Sequence, residues 1–203
     1  PLPSMDIDPT DDIILENFGT LREWGKEWIR NMGLCAPLIN ADHDAHGDAC
    51  QAHTLDLSRV RDPSLAVVCG SGASLDSLAR LLPAFPGLII CGPSNASVCA
   101  AAGAPPHAIL SIDSGLGTIA HLMNVPYDSL GSTLISSTSI RPEVPEMFPV
   151  NRKWFTSIVQ MHRGANHPFN VFSQMLFPFV HSFMFQAGCT VNAEILFLQL
   201  LAE

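Results

Sequence analysis

The residues best suited to chemistry form one run, Gly70-Ser71-Gly72-Ala73-Ser74-Leu75, set between an apolar stretch and a helical one. Its glycines let the backbone turn tightly and approach an anion, and a helix opening behind them offers main-chain N–H groups and the positive end of its dipole. The hydroxyls of Ser71 and Ser74 add donors. A glycine-rich turn capped by Ser74 would read the same way. The run lacks the third glycine of the dinucleotide fingerprint and the lysine of a P-loop, so its strand-to-helix setting carries the phosphate reading.

A second candidate is Asp113, which ends the apolar run His107-Ala-Ile-Leu-Ser-Ile112. A carboxylate there can hold a ribose hydroxyl, a Mg²⁺ ion on phosphates, or an acceptor proton. The plain alternative is an Asx turn or helix cap. Ser94 and Asn95 follow Gly92-Pro93 and can either cap a helix or contact a base or ribose. In open α/β sheets ligands gather outside the carboxyl ends of strands, so these three turns are expected to share a crevice.

Further polar residues carry weaker signals. Between Asn40 and His53 the chain holds three histidines, three aspartates and Cys50. His43, His46, Cys50 and His53 can be read as metal ligands, but their spacing fits no compact zinc module and a solvated loop is the commoner explanation. His162, Arg163 and His167 offer acid–base chemistry or a phosphate contact on what reads as an exposed turn. His181, between aromatic and aliphatic residues, reads as a core histidine. The Ser136-Ser-Thr-Ser139 run can contact an acceptor or merely end a strand, and Arg141, Arg152 and Arg163 are the arginines best placed in sequence to fork an anion.

The elements that must position these groups follow from periodicity. Pro1 to Asp11 reads as an extended arm, and Asp12 to Met32 as an amphipathic helix with Asp11 or Asp12 as N-cap. Short apolar runs then alternate with helical ones. Leu65–Cys69, Gly87–Cys91, His107–Ile112, Ser132–Ser136 and Trp154–Met161 read as strands, and Ser74–Leu82, Ser94–Ala102, Gly115–Met123 and Gly188–Glu203 as helices. Such alternation predicts right-handed βαβ units. The expected fold is α/β, a Rossmann-like three-layer sandwich with a mostly parallel sheet over residues 61–203. An arm, helix and polar loop occupy residues 1–60. The proline-containing stretch Ser137–Asn151 is expected as a mobile cover, and Phe169–Phe185 as core or interface.

Composition narrows the partners. The formal charge of −9, from 19 acidic against 10 basic residues, repels polyanions and acidic membranes, which disfavours nucleic acid. Apolar residues make up 47%, enough for a substantial core. Cys69 and Cys91 end apolar runs and Cys99 sits in a helical stretch, so they read as buried small hydrophobes in a reducing compartment. With no stretch of transmembrane length, the expectation is a cytoplasmic chain without membrane insertion.

Taken in order, Val67-Val-Cys-Gly-Ser-Gly-Ala-Ser-Leu75, Ile89-Ile-Cys-Gly-Pro-Ser-Asn95 and Gly103-Ala-Pro-Pro-His-Ala-Ile-Leu-Ser-Ile-Asp113 resemble the 6-hydroxymethylpterin pyrophosphokinase (MptE-like) family. That family includes motility-associated factors that glycosylate flagellin. Gly188-Cys-Thr-Val191 is similar to a later helix-opening turn of the same family. The resemblance covers about residues 65 to 203. It implies that Gly70, Gly72 and Ser74 line nucleotide phosphates, that Asp113 faces the ligand and that Thr190 starts a helix in the same cleft. Ala73 stands where the family has proline, His107 where it has aspartate, and Cys189-Thr190 where it has Gly-Ser. The family pattern continues past the last helix, which implies a truncated or reduced domain. The activity implied is nucleotide-dependent transfer, in first place glycosyl transfer from a nucleotide-sugar, with Mg²⁺ as the implied ion. The other readings are ATP-dependent pyrophosphorylation of a hydroxymethyl pterin, or a non-catalytic module that pairs with itself or a larger protein.

Overall fold

The computed structural model describes residues 9–158 and 168–184. Helix α1 (Pro9–His46) leads through a short 3-10 turn (Gly47–Cys50) into a six-stranded sheet. The strands are β1 (Ala66–Cys69), β2 (Leu88–Cys91), β3 (Ala108–Ser111), β4 (Thr133–Ser137), β5 (Arg152–Ile158) and β6 (Ser182–Met184). Between them lie α2 (Ser74–Leu78, continued as a 3-10 helix over Ala79–Ala84), α3 (Pro93–Ala101), α4 (Leu116–Leu122), α5 (Glu143–Glu146) and α6 (Pro168–Leu176). This is the α/β, Rossmann-like architecture that the alternation of apolar and helical stretches predicts. Every neighbouring pair is parallel, and the strand order follows the chain from β1 to β6.

Right-handed crossovers in a sheet wound in one direction bring the connecting helices to one face. The core divides accordingly. Cys69, Ile89, Cys91, Ile109, Leu134 and Trp154 share a cluster with Ala96 and Cys99 of α3, Leu122 of α4, Val144 of α5 and Phe169 of α6. Leu88, Ile90, Ala108, Leu110, Ile135 and Phe155 on the opposite face pack with Ala52, Leu55 and Val60 from the segment before β1. Entry into β2 needs glycine, since a Cβ at Gly87 would lie 2.2 Å from the Leu65 carbonyl oxygen.

Helix α1 corrects the expected helix and polar loop and takes in Pro9–Asp11 of the expected arm, the rest of which lies outside the described residues. Asp11 and Asp12 lie inside it rather than at its cap, and it runs through Gly33 and Pro37 to His46. An interior proline costs about 3 kcal/mol and a glycine about 1. Against this, Met32, Cys35 and Ile39 are at most 1% exposed beneath the sheet. Burial of the Met and Ile side chains alone stabilises by about 1.5–3 kcal/mol each, so tertiary packing overrides local propensity.

The second half of α1 is anchored by Asp42. Its carboxylate accepts from Arg152 Nε at 2.6 Å, Arg152 Nη2 at 2.7 Å and Trp154 Nε1 at 2.7 Å. Arg152 is thereby a structural fork, and Asp42 belongs to the core of the domain.

One further expectation is corrected. Ser137–Asn151 is no mobile cover, because Thr138, Ile140, Val144, Pro145 and Phe148 are all buried and α5 forms a helical turn within it. The described part of the apolar Phe169–Phe185 region, expected as core or interface, carries most of α6 and β6 and gives Phe169, Phe177 and Val180 to the core. Phe169, Asn170 and Ser173 turn inward, while Val171, Phe172 and Met175 stay exposed. The expected helix over Gly188–Glu203 lies outside the described residues.

Candidate functional site

Parallel strands put the carboxyl ends of β1 to β5 along one edge. Two side-chain contacts join the turns after β1 and β2. Asn95, 7% exposed, donates its amide to the Cys69 carbonyl at 2.9 Å, and Ser71 Oγ lies 3.2 Å from Ser94 Oγ. Asn95 is thus a tie between β1 and α3, while Ser71 and Ser94 stand exposed above it.

Gly70 leaves β1 half-buried, and Gly72 and Ser74 are exposed. Ser74 is the first residue of α2 rather than its cap, and no side chain caps that helix. The turn is closed by Leu75 N–H donating to the Gly72 carbonyl at 3.0 Å. A Cβ at Gly72 would meet only Ser74 Oγ, at 3.6 Å, so the protein's own atoms do not demand glycine there. α3 likewise begins without a side-chain cap, behind Gly92 with Pro93 at its start. Both helix starts therefore carry first-turn N–H groups with no side-chain acceptor, the arrangement that suits an anion.

Asp113 lies at the same edge after β3. Its Oδ1 accepts from Gly115 N–H at 2.8 Å and its carbonyl from Thr118 Oγ1 at 3.2 Å, an Asx turn that opens α4. The carboxylate is exposed. The turn is held from behind by α1, where Trp28 Nε1 donates to the buried Ser114 Oγ at 2.9 Å. Asn31 of α1 donates to the Ser139 carbonyl at 3.1 Å and so holds the turn after β4 in the same way. Neither contact had a local signal in the sequence, because the partners lie 86 and 108 residues apart.

The Ser136–Ser139 run is fully inside the protein, with Ser137 Oγ 2.9 Å from Ser139 Oγ and 3.3 Å from Ser157 Oγ. Its hydroxyls bond to one another and to β5. Arg141 pairs with Glu27 at 3.3 Å and Glu143 at 3.5 Å.

The histidines are dispersed. His43 stacks on Phe179 with ring centroids 3.9 Å apart, and His53 meets His181 edge to face at 4.3 Å. Burial and, next, the neighbouring His181 hold the His53 imidazole below its usual pKa. His181 is exposed and not a core residue: the buried anchor of that turn is Val180, while the His181 main-chain N–H donates to Gln51 Oε1 at 2.8 Å. His46 is exposed and Cys50 buried. Among the described residues no group of three or more His, Cys, Asp or Glu side chains is arranged to hold a metal ion. Cys69, Cys91 and Cys99 are buried and form no disulfide. Thr190, His162, Arg163 and His167 lie outside the described residues.

Among the described residues no helix is long and apolar enough to cross a membrane. No family model matches the chain, and a search of curated proteins finds no match.

Proposed function

We propose that the chain binds a nucleotide at the carboxyl edge of β1 to β3 and acts as a nucleotide-dependent transferase, with a nucleotide-sugar as donor. The observation that carries this reading is the coupling of two uncapped helix starts through Asn95–Cys69 and Ser71–Ser94. In it, main-chain N–H groups of the Gly70–Ser74 turn and of α3 receive the phosphates, with Ser71 and Ser94 as hydroxyl donors. Such preorganised donors stabilise a leaving phosphate as its charge develops.

Asp113 is the candidate base or ribose ligand. Its Oδ1 is oriented by Gly115, which leaves Oδ2 to accept a proton or a hydroxyl. A Mg²⁺ ion fits this donor set only as a partner of phosphates, since Mg²⁺ is commonly held by one or two carboxylates plus substrate oxygens. Bound so, it would supply charge neutralisation on the leaving group. The resemblance of the Gly70, Ser94 and Asp113 segments to MptE-like transferases points the same way.

Titration calorimetry with CMP-sugars, UDP-sugars, ATP and GTP, with and without Mg²⁺, tests the reading. Binding of a nucleotide-sugar that is lost in Asp113→Ala and weakened in Ser94→Ala is the expected outcome. Binding of ATP alone would replace it with pyrophosphoryl transfer. If none of the nucleotides binds, the transferase reading fails and a non-catalytic module stands in its place.

A further inference from the structure

Strand β1 ends the sheet on one side, and among the described residues no strand pairs with its outer edge. The Leu65 carbonyl accepts from Leu88 N–H at 2.8 Å, which fixes which main-chain groups face β2. Those groups alternate sides along a strand. The Leu65 carbonyl and the main-chain groups of Val67 and Cys69 therefore face inward, in agreement with the Asn95 side chain reaching the Cys69 carbonyl from the β2 side, while the Leu65 N–H closes the preceding turn on the Asp62 carbonyl. The N–H and C=O groups of Ala66 and Val68 point outward.

Natural sheets blunt such an edge with charge, proline or a bulge. None of the first two is present here, because no charged residue or proline occurs between Ser64 and Ser74 in a chain of net charge −9. The β1–β2 register is also continuous, Ala66 to Leu88 through Cys69 to Cys91, with no bulge. Ala66 is exposed and Val67 and Val68 are half-exposed. Leu65 just before β1 is 43% exposed, and Leu78 and Leu81 on the crossover leaving it are 53% and 58% exposed. What this edge lacks is another short, uncharged extended strand.

We propose that a second copy of this chain supplies it, through antiparallel β1–β1 pairing about a twofold axis at Val67. In that register Ala66 of each copy stands opposite Val68 of the other, and each pair exchanges both N–H···O=C bonds. All the outward groups of the strand are then used. A register shifted to Ala66 would need the Ser64 N–H, which already donates to Asp62 Oδ1 at 3.0 Å. A register shifted to Val68 would draw in Gly70 from the turn. The twofold also places the same apolar, uncharged edge on both sides, so no like charges meet at the seam. An isologous contact of this kind closes on itself and leaves no further edge of β1 to recruit a third copy. The pairing stands or falls independently of nucleotide binding.

Sedimentation velocity of the full chain over a range of concentrations tests the pairing, with amide hydrogen exchange as a residue-level readout. The expected result is a mass that rises with concentration from 21.9 kDa to twice that value, together with protection of the Ala66 and Val68 amides that grows in parallel. Val68→Pro removes an outward N–H without touching the β1–β2 ladder, and Ala66→Lys places a charge on an exposed edge position. Each is expected to return the chain to monomer with its far-ultraviolet circular dichroism intact. Should Val68→Pro fail to fold, Ala66→Lys decides alone. A chain that stays monomeric at its highest soluble concentration overturns the proposal, and so does a dimer that persists in the folded variants or leaves Ala66 and Val68 unprotected.

Discussion

The Trp28 indole N–H donates to Ser114 Oγ at 2.9 Å, so a residue of the first helix fixes the turn that carries Asp113. Ser114 is 2% exposed, and losing its donor leaves a buried hydroxyl short of a partner. Trp28→Phe is expected to cost about 1–3 kcal/mol, the usual range for orphaning a buried polar group. It should also weaken nucleotide binding more than a remote substitution of equal stability cost, because the Asp113 turn loses its backing. Urea denaturation paired with calorimetric titration measures both.

Asp42 faces a larger penalty. It compensates the Arg152 guanidinium, whose side chain is 12% exposed, and it accepts from the Trp154 indole. Removing one member of a buried ion pair typically destabilises by about 3–5 kcal/mol. Asp42→Ala is therefore expected to lower stability by that order, readable as a drop in the urea midpoint, and a loss below about 1 kcal/mol would contradict the anchoring role.

His107 makes stability depend on pH. Its Nδ1 accepts the Ile89 N–H at 3.0 Å, which requires an unprotonated nitrogen. Burial, and then the Arg59 charge, hold its pKa below the ordinary 6.5. A base whose folded pKa is depressed contributes stability that is fully present above its unfolded pKa and is lost as pH falls through the folded one. The thermal midpoint should fall on acidification below about pH 6.5, and His107→Gln should flatten that fall. An identical pH profile in the variant would remove His107 as its cause.

Gly72→Val separates fold from ligand. The ordinary 3.6 Å contact with Ser74 Oγ at its Cβ position predicts a thermal midpoint close to that of the parent. If phosphates approach the backbone there, the isopropyl group occupies their place and binding is lost. Wild-type nucleotide affinity in this variant would show that the Gly70–Ser74 turn is not the phosphate site.

The parts of the fold that were legible in sequence are those whose cause is local. Ile89, Ile109 and Leu134 sit in short apolar runs because their strands are buried between layers, and each run lies within a residue or so of the strand it predicts. What could not be read depends on distant partners. Asn40–His53 looks like a solvated loop, yet Asp42 is polar because Arg152 and Trp154 need an acceptor 110 and 112 residues away. Ser136–Ser139 reads as a strand end that can contact an acceptor, but the Ser137 hydroxyl is engaged by Ser139 and Ser157 inside the protein. Of the candidate site, the Gly70 and Ser94 turns were visible as glycine-bearing punctuation. Their coupling through Asn95 was not, nor was the backing of Asp113 by Trp28.

The in-sequence strand order has a consequence for assembly. A hairpin-like search for remote strands is unnecessary, because every strand finds its neighbour one crossover away and the sheet can zip from either end at modest loop-closure cost. Helix α1 and the Gln51 turn behind it are different: the ties of α1 to Ser114, Ser139 and Arg152 each close a span of 86 to 110 residues. The docking of α1 is thus the entropically expensive step, the clasp that turns a stack of βα units into one cooperative body.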